Sequence, residues 1–332
     1  MDYLWHNHIM LGESSIFPPV LMWAVPFFLV TVVIEFFVAR RRIGPQSHRW
    51  KDSIASLLMG VGNLLTDLAF GFISLTVLFW AWDFRLVDLG TTWPIIMLAL
   101  VLQDFVYYWK HRISHRVRWF WAAHVVHHSS EHYNLTTALR QPWISHFTGY
   151  SLMSIPLVLI GFHPLLIGFV AALNLLYQYW IHTETIKRMP RWFEAIFNTP
   201  SHHRVHHSVH PRHLDANYAG IFIIWDRLFG SFVPEFSDEV MKYGVVTPIN
   251  TYNPFKIAFA EWINIFKDIF NPKFSAGAWA RLKYALAPPG YSHDGSRQTS
   301  EDIKRQYMKE NPMAAGSNGL PKQLLSLPDT RK

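Results

Sequence analysis

The chain has 332 residues, half of them hydrophobic and 16% aromatic, with 16% charged and a formal net charge of +7. A soluble domain carries about 25% charged residues, so a chain this apolar is neither an ordinary soluble domain nor intrinsically disordered. It has no cysteine, which excludes disulfides, Cys-ligated zinc, iron–sulfur clusters and cysteine nucleophiles.

The first apolar run, Phe17 to Ala39, has Glu35 as its one charge and is followed by Arg40, Arg41 and Arg42. A membrane crossing of ~30 Å needs ~20 helical residues, so this run predicts a span. The basic cluster follows the run instead of preceding it, unlike a cleavable signal. A second run, Gly60 to Trp82, carries only Asp67, and a third, Thr91 to Trp109, only Asp104. Trp143 to Ile181 contains no Asp, Glu, Lys or Arg and is broken at Gly161-Phe162-His163-Pro164. That pattern predicts a helical hairpin, as two full spans or a re-entrant pair. The expected fold is therefore an all-α integral membrane protein of four to five membrane helices, with a cytosolic helical cap. Lys and Arg cluster after the first run, the third run and the hairpin. This places those loops in the cytoplasm and the N-terminus outside. The basic residues sit at membrane boundaries and form no nucleic-acid motif, so no nucleic-acid partner is expected.

Four segments are expected: 1–50, an N-terminal span and basic loop; 51–235, the catalytic domain; 236–287, an amphipathic or interfacial segment; and 288–332, a polar, flexible tail. In the third, Trp262, Ile265, Phe266, Ile269 and Phe270 recur at helical spacing, and Lys267, Lys273 and Lys283 are placed to face headgroups. An ordinary packed helix is the equal alternative.

Fifteen of the nineteen histidines lie between positions 111 and 213. His111 and His115 form HxxxH; His124, His127 and His128 form HxxHH; His203, His206 and His207 form HxxHH again, with His202 just before and His182 at the end of the hairpin. Residues three and four apart share a helix face, so each box offers several imidazoles from one rigid element. His115 and His124 are nine residues apart, half a turn out of phase on a continuous helix, so a break between them is required for a common centre. The donors are all nitrogen, which suits Fe, Zn, Cu or Ni, and their number suits two ions better than one. Asp104 shares the face of Tyr108, His111 and His115, near membrane depth, where a carboxylate is costly. It is expected either to accept a bond from a ligating imidazole or, equally, to face water or pair with a lysine at a helix end.

Longer stretches surround these boxes: Tyr133 to Gln141 (YNLTTALRQ), Trp180 to Glu184 (WIHTE), Asn198 to His207 (NTPSHHRVHH), Asn217 to Gly220 and Ile224 to Gly230. With them, residues 50 to 235 resemble the membrane-bound fatty acid hydroxylase/sterol desaturase superfamily, most closely its alkylglycerol monooxygenase branch. The residue after the HxxxH box is acidic in that branch, and this chain departs from it by having Arg116 there. The resemblance implies a non-haem di-iron monooxygenase with His111, His115, His124, His127, His128, His203, His206 and His207 as iron ligands and His182 and His202 as further candidates. It implies O2-dependent hydroxylation or desaturation of a lipid C–H bond, on an ether lipid or on a sterol, fatty acid or carotenoid. Asn134 and Gln141 are expected to orient ligands, Glu184 and Asp226 to orient ligands or equally to form plain salt bridges, and Tyr133 and Arg140 to meet a substrate head group, with a ligand-ordering role for Arg140 left open. No dinucleotide, P-loop or haem motif is present. Electrons are therefore expected from an external donor, a redox protein or a reduced pterin such as tetrahydropterin. A membrane metal transporter is the competing class. Its sites usually lie at mid-bilayer on repeated helices, whereas these boxes lie in basic, Trp-rich stretches without a repeat.

Overall fold

The computed structural model describes residues 17–236, 241–272 and 277–312. Among them the regular structure is helical, with two isolated bridges and no strand. Helix α1 (Val20–Arg42) and helix α2 (Trp50–Trp82) are long and apolar enough to cross a membrane. At 1.5 Å per residue, the 33 residues of α2 reach about 50 Å, well beyond a hydrocarbon core. Its first turns, where Asp52 and Ser56 are buried, belong to the polar cap. Both helices leave large apolar side chains exposed, among them Trp23, Phe27, Phe37, Leu65, Leu68 and Phe72. Helix α1 ends on Arg40, Arg41 and Arg42, cations that suit the negative end of a helix dipole.

Helix α3 (Trp93–Arg116) opens with Pro at its first turn and is apolar for half its length; it then carries His111 and His115. At Val117 the backbone turns extended (φ −125°, ψ 116°) and helix α4 (Arg118–His128) begins. This is the break that the half-turn phase difference demanded. Helix α5 (Leu135–Ala138) follows, capped by Asn134.

The apolar run from 143 to 181 folds as short helical pieces and not as two long helices. It holds short 3-10 turns, helix α6 (Ile155–Ile160) and helix α7 (Pro164–Trp180). Helix α6 has 6 residues, far short of a crossing, and α7 has 17, at the lower end of what one needs. Gly161 makes the reversal: its φ is 124°, and a Cβ there would lie 2.4 Å from the Val87 carbonyl oxygen. The largest apolar core forms where α2, α3, α6 and α7 meet, around Leu78, Trp82, Ala99, Val158, Phe162, Leu166 and Val170.

Helices α8 (Arg191–Ile196), α9 (Pro200–His206) and α10 (Ile224–Leu228) build the rest of the cap. Helix α11 (Pro254–Ile269) buries Ile257, Ala258, Trp262 and Ile265, and its Trp262 and Ile265 meet Ala122 and Ala123 of α4. Arg118 clamps the pair with bonds of 2.6 Å to both Glu261 and Asp268. The amphipathic stripe thus has a packed side, while Phe266 and Phe270 stay exposed; Lys273 lies outside the described residues. Helix α12 (Ala278–Leu286) precedes α13 (Ser300–Glu310), which Thr299 and Asp302 start with a capping box. The expected flexible tail is therefore helical over 300–310, with Lys304 buried and Glu301 2.6 Å from Arg116. Residues 313–332 of that segment lie outside the described residues.

Candidate metal centre

Nine histidines from α3, α4, α7's C-terminal edge and α9 converge into two adjoining groups. One contains His111, His115, His124, His128 and His206; the other contains His127, His182, His203 and His207. Within each group the ligand nitrogens lie within 4.8 Å of one another. Helical spacing explains the division. In α4 the i,i+4 pair His124 and His128 serves the first group while His127 turns to the second. In the third box His203 and His207 serve the second group while His206 turns to the first. The groups touch where His128 and His207 stack at 4.3 Å.

The second ring nitrogens fix the direction of the first. A carbonyl oxygen only accepts, so an imidazole nitrogen bonded to one carries the proton. His111 Nδ1 donates to Tyr218 O at 2.7 Å, His206 Nδ1 to Ala216 O at 2.8 Å, His182 Nδ1 to Gln178 O at 2.7 Å and His127 Nδ1 to Arg140 O at 3.3 Å. Their Nε2 atoms are then bare in the neutral ring. Nε2 of His127 and Nε2 of His182 nevertheless face each other at 3.1 Å. Neither ring takes a second proton readily. Burial holds His127 down at about 4 and, with the neighbouring His127, holds His182 well below its usual range. Burial, then adjacent imidazoles, likewise depress His111, His124, His128, His203, His206 and His207. Two lone pairs at this distance repel unless a cation lies between them. Further Nε2 pairs stand at 2.9 to 3.2 Å: His111 to His124, His124 to His128, His128 to His206, His182 to His203 and His203 to His207. With metal–nitrogen bonds of ~2.1 Å, adjacent ligands of an octahedral ion are ~3 Å apart, so the donors fit a divalent transition metal. The His115 Nε2 is buried with no hydrogen-bond partner, as an unfilled ligand would be.

The tenth expected ligand, His202, stands apart from both groups. It faces outward from the third box, its ring edge-on to Phe232 at 5.3 Å. The carboxylates expected to touch imidazoles act one step away. Asp104 accepts from the backbone of Ile221 and Phe222, from Trp225 Nε1 and from Asn174, not from a histidine. Gly220 presses against it so closely that a Cβ would lie 2.7 Å from Asp104 Oδ1. Asp226 accepts from the amides of Tyr218 and Ala219 and from Ser231 Oγ. Both carboxylates thus pin the 216–222 loop, whose carbonyls hold His111 and His206. Glu184 accepts from Tyr243, which stacks on Tyr133, which in turn packs against His182 and His207.

Asn134 caps α5, and Gln141 donates to Ala138 O; both order the chain after the second box and touch no ligand nitrogen. Tyr133 is buried and donates to Ile181 O. Arg140 is 1% exposed; its guanidinium binds Asp52, Ser56, Ser129 and the Val126 carbonyl, and its own carbonyl receives His127. Both side chains are occupied by protein partners, which makes them props for ligands and not open head-group contacts.

The carboxylate that does reach an imidazole is Asp215, 3.5 Å from His115 Nδ1 and 3.5 Å from Arg116 Nε. Burial opposes its charge, but contact with His115 and Arg116 holds it down at about 2. Sequence spacing gave no signal for Asp215, because it sits in a turn with φ 50° beside Asn217 at φ 56°. Its approach to His115 depends on that irregular backbone.

Comparison with known proteins agrees with this geometry. Residues 96–231 match the fatty acid hydroxylase family model. The alkylglycerol monooxygenase of Xenopus tropicalis is 38% identical over 88% of this chain and 65% of its own length. The human alkylglycerol monooxygenase is 38% identical over 90% of this chain and 66% of its own. The ornithine lipid hydroxylase of Rhizobium tropici is 27% identical over 64% of this chain and 67% of its own. The chain thus spans 54 to 66% of the length of the alkylglycerol monooxygenases it matches. No solved structure matches it.

Proposed function

We propose, from the match of residues 96–231 to the fatty acid hydroxylase family model, that the chain is a membrane-bound di-iron lipid monooxygenase. The observation that carries the reading is the pair of bare Nε2 atoms on His127 and His182 at 3.1 Å, within two all-histidine groups. Iron is the favoured metal, since imidazole donors with room for further ligands suit redox chemistry on dioxygen. When bound by the two histidine groups, the ions would supply the reduction of O2 and the oxidation of an unactivated C–H bond, which no side chain here can perform. Their electrons come from an external two-electron donor, a redox protein or a reduced pterin. The favoured substrate is an alkylglycerol-like ether lipid, by likeness to the alkylglycerol monooxygenases.

The chain's own residues hold and orient. Five imidazoles serve one ion and four the other. The carbonyls of Arg140, Gln178, Ala216 and Tyr218 keep the Nδ1 protons outward, so that bare Nε2 atoms point inward. Tyr133 covers His182 and His207 and restricts water on that side. The exposed apolar faces of α1 and α2 suit lipid, and an alkyl chain enters most simply from that direction. The basic stretches beside the His boxes favour a cytoplasmic cap and an external N-terminus.

Elemental analysis of detergent-purified protein, with Mössbauer spectroscopy after growth on 57-iron, tests the reading. Two coupled irons per chain, and label from 18-oxygen gas in a hydroxylated ether lipid, are expected. Zinc alone, with no iron-dependent oxidation on reconstitution, overturns it.

A further inference from the structure

A cavity of about 340 Å³ lies on the outer side of the third histidine box, lined by Arg188, Arg191, Glu194, His202, Arg227 and Glu235 among others. Its charges do not cancel locally. Glu235 is held by both Arg204 Nε and Nη2, at 2.7 and 2.9 Å, and Arg204 is not a lining residue. Glu194 Oε1 accepts from the Met189 amide, Ser201 Oγ and Thr199 Oγ1. The three cavity arginines meet no carboxylate in an ion pair among the described residues. Arg188 donates to the Glu235 carbonyl, and Arg227 to the Glu194 carbonyl while lying over the Phe232 ring at 3.8 Å. Arg191 has no hydrogen bond or ion pair among the described residues. Beneath them His202 is 3% exposed, and its Nδ1 is buried without a partner.

Three guanidiniums outnumber the one lining carboxylate not held by Arg204, Glu194, and with the buried, unbonded Nδ1 of His202 at the wall they make a site for an oxyanion. Arginine's planar fork matches phosphate in particular. The helices that bear Arg191 and Arg227 also expose Trp192, Ile196, Ile224 and Leu228. Exposed tryptophan and aliphatic side chains beside arginine mark a membrane boundary. We propose that this cavity binds a phosphate group, most simply that of an anionic phospholipid lying beside the cap. This site is separate from the two histidine groups and stands without the hydroxylase reading. It gives His202 a role that the metal assignment leaves open.

The experiment uses the full chain, stripped of lipid in maltoside micelles. Native mass spectrometry compares retention of phosphatidic acid with diacylglycerol of the same acyl chains, with inorganic phosphate as competitor. Phosphatidic acid is expected to be retained and diacylglycerol not. The triple variant R188Q/R191Q/R227Q is expected to lose at least about ten-fold in retention, since charged hydrogen bonds are individually strong. A control triple in the basic loop, R40Q/R41Q/R42Q, should retain the lipid, which separates a site from general surface charge. Displacement by inorganic phosphate supports the site and assigns it to a soluble phosphate source; resistance to displacement assigns it to lipid. Circular dichroism and gel filtration verify that each variant keeps its helix content and size. Equal retention of diacylglycerol, no loss in the cavity triple, or equal loss in the control triple overturns the proposal.

Discussion

Asp215→Asn is the most informative substitution at the metal centre. Asn keeps the size and tolerates the left-handed backbone that Asp215 adopts at φ 50°, so the change removes charge with little strain. In the wild-type chain this carboxylate links His115, Arg116 and, through Arg116, Glu301 on α13. Outer partners of metal-binding histidines typically contribute 10- to 100-fold in metal affinity. The 3.5 Å separation from His115 is long for a hydrogen bond, which places the effect near about ten-fold, or roughly 1 kcal/mol. The loss should fall on the five-histidine group alone, because among the described residues Asp215 meets His115 and Arg116 and none of the four histidines of the other group. Release of bound metal to a chelator, followed in detergent, should therefore show one phase accelerated or weakened about ten-fold and the other unchanged. Parallel shifts in both phases would mean that the cap as a whole had loosened. No shift in either would refute the positioning role of Asp215.

Four other outcomes follow from the same geometry. His127→Ala should abolish metal-dependent oxidation while leaving membrane insertion intact, which fractionation and a turnover assay together check; full activity would sink its assignment as a ligand. His202→Gln should keep the full metal content, whereas His207→Gln should lose the metal of the four-histidine group, a contrast read directly by elemental analysis. Arg140→Met leaves Asp52 buried without its ion pair, 3.1 Å away in the parent; thermal unfolding in detergent should show a loss of about 3–5 kcal/mol, and an unchanged melting curve would contradict the clamp. Metal-stripped protein should fail in mild acid. The unfolded chain takes up protons below the ordinary histidine pKa of 6.5, while His111, His124, His127, His128, His182, His203, His206 and His207 resist them when folded. Stability is thus complete above 6.5 and lost as pH falls. One unit below, each group removes about 1 kcal/mol and all of them together on the order of 10 kcal/mol, comparable with the whole stability of a domain. Melting of the stripped protein that is level from pH 7.5 to 5.5, measured by tryptophan fluorescence, would contradict this.

The histidines and their helices were legible because helical periodicity is local. Spacing alone required a break between His115 and His124, and Val117 supplies it. Spacing also showed that each box has an i,i+4 pair with a third ring alongside. It could not show that the third ring belongs to a different group, because that depends on how α4 and α9 face each other across the hairpin's return. The membrane helices were half legible. Composition identifies α1 and α2, but Trp143 to Ile181 reads as apolar whether it crosses a bilayer or packs as short helices against α2 and α3. Hydropathy does not show where such a run turns; the reversal at Gly161 and the packing of Leu157, Val158 and Leu166 against α2 and α3 come from tertiary structure.

The carboxylates show where sequence reasoning stops and why. Asp104 and Asp226 were singled out for their chemistry, and both are buried at the centre. What they hold is backbone: the amides of Tyr218, Ala219, Ile221 and Phe222. That loop in turn presents Tyr218 O to His111 and Ala216 O to His206. A carbonyl carries no side-chain signature, so a ligand oriented by one is invisible to motif analysis even when every ligand is found. The arrangement also has a physical advantage. A carbonyl only accepts, so it selects one histidine tautomer outright, whereas a carboxylate also stabilises the doubly protonated ring that competes with a metal. Four of the nine imidazoles are held by carbonyls and one by Asp215. The centre thereby keeps its nitrogens neutral and bare, and the buried negative charge is spent mainly on fixing the loop that does so.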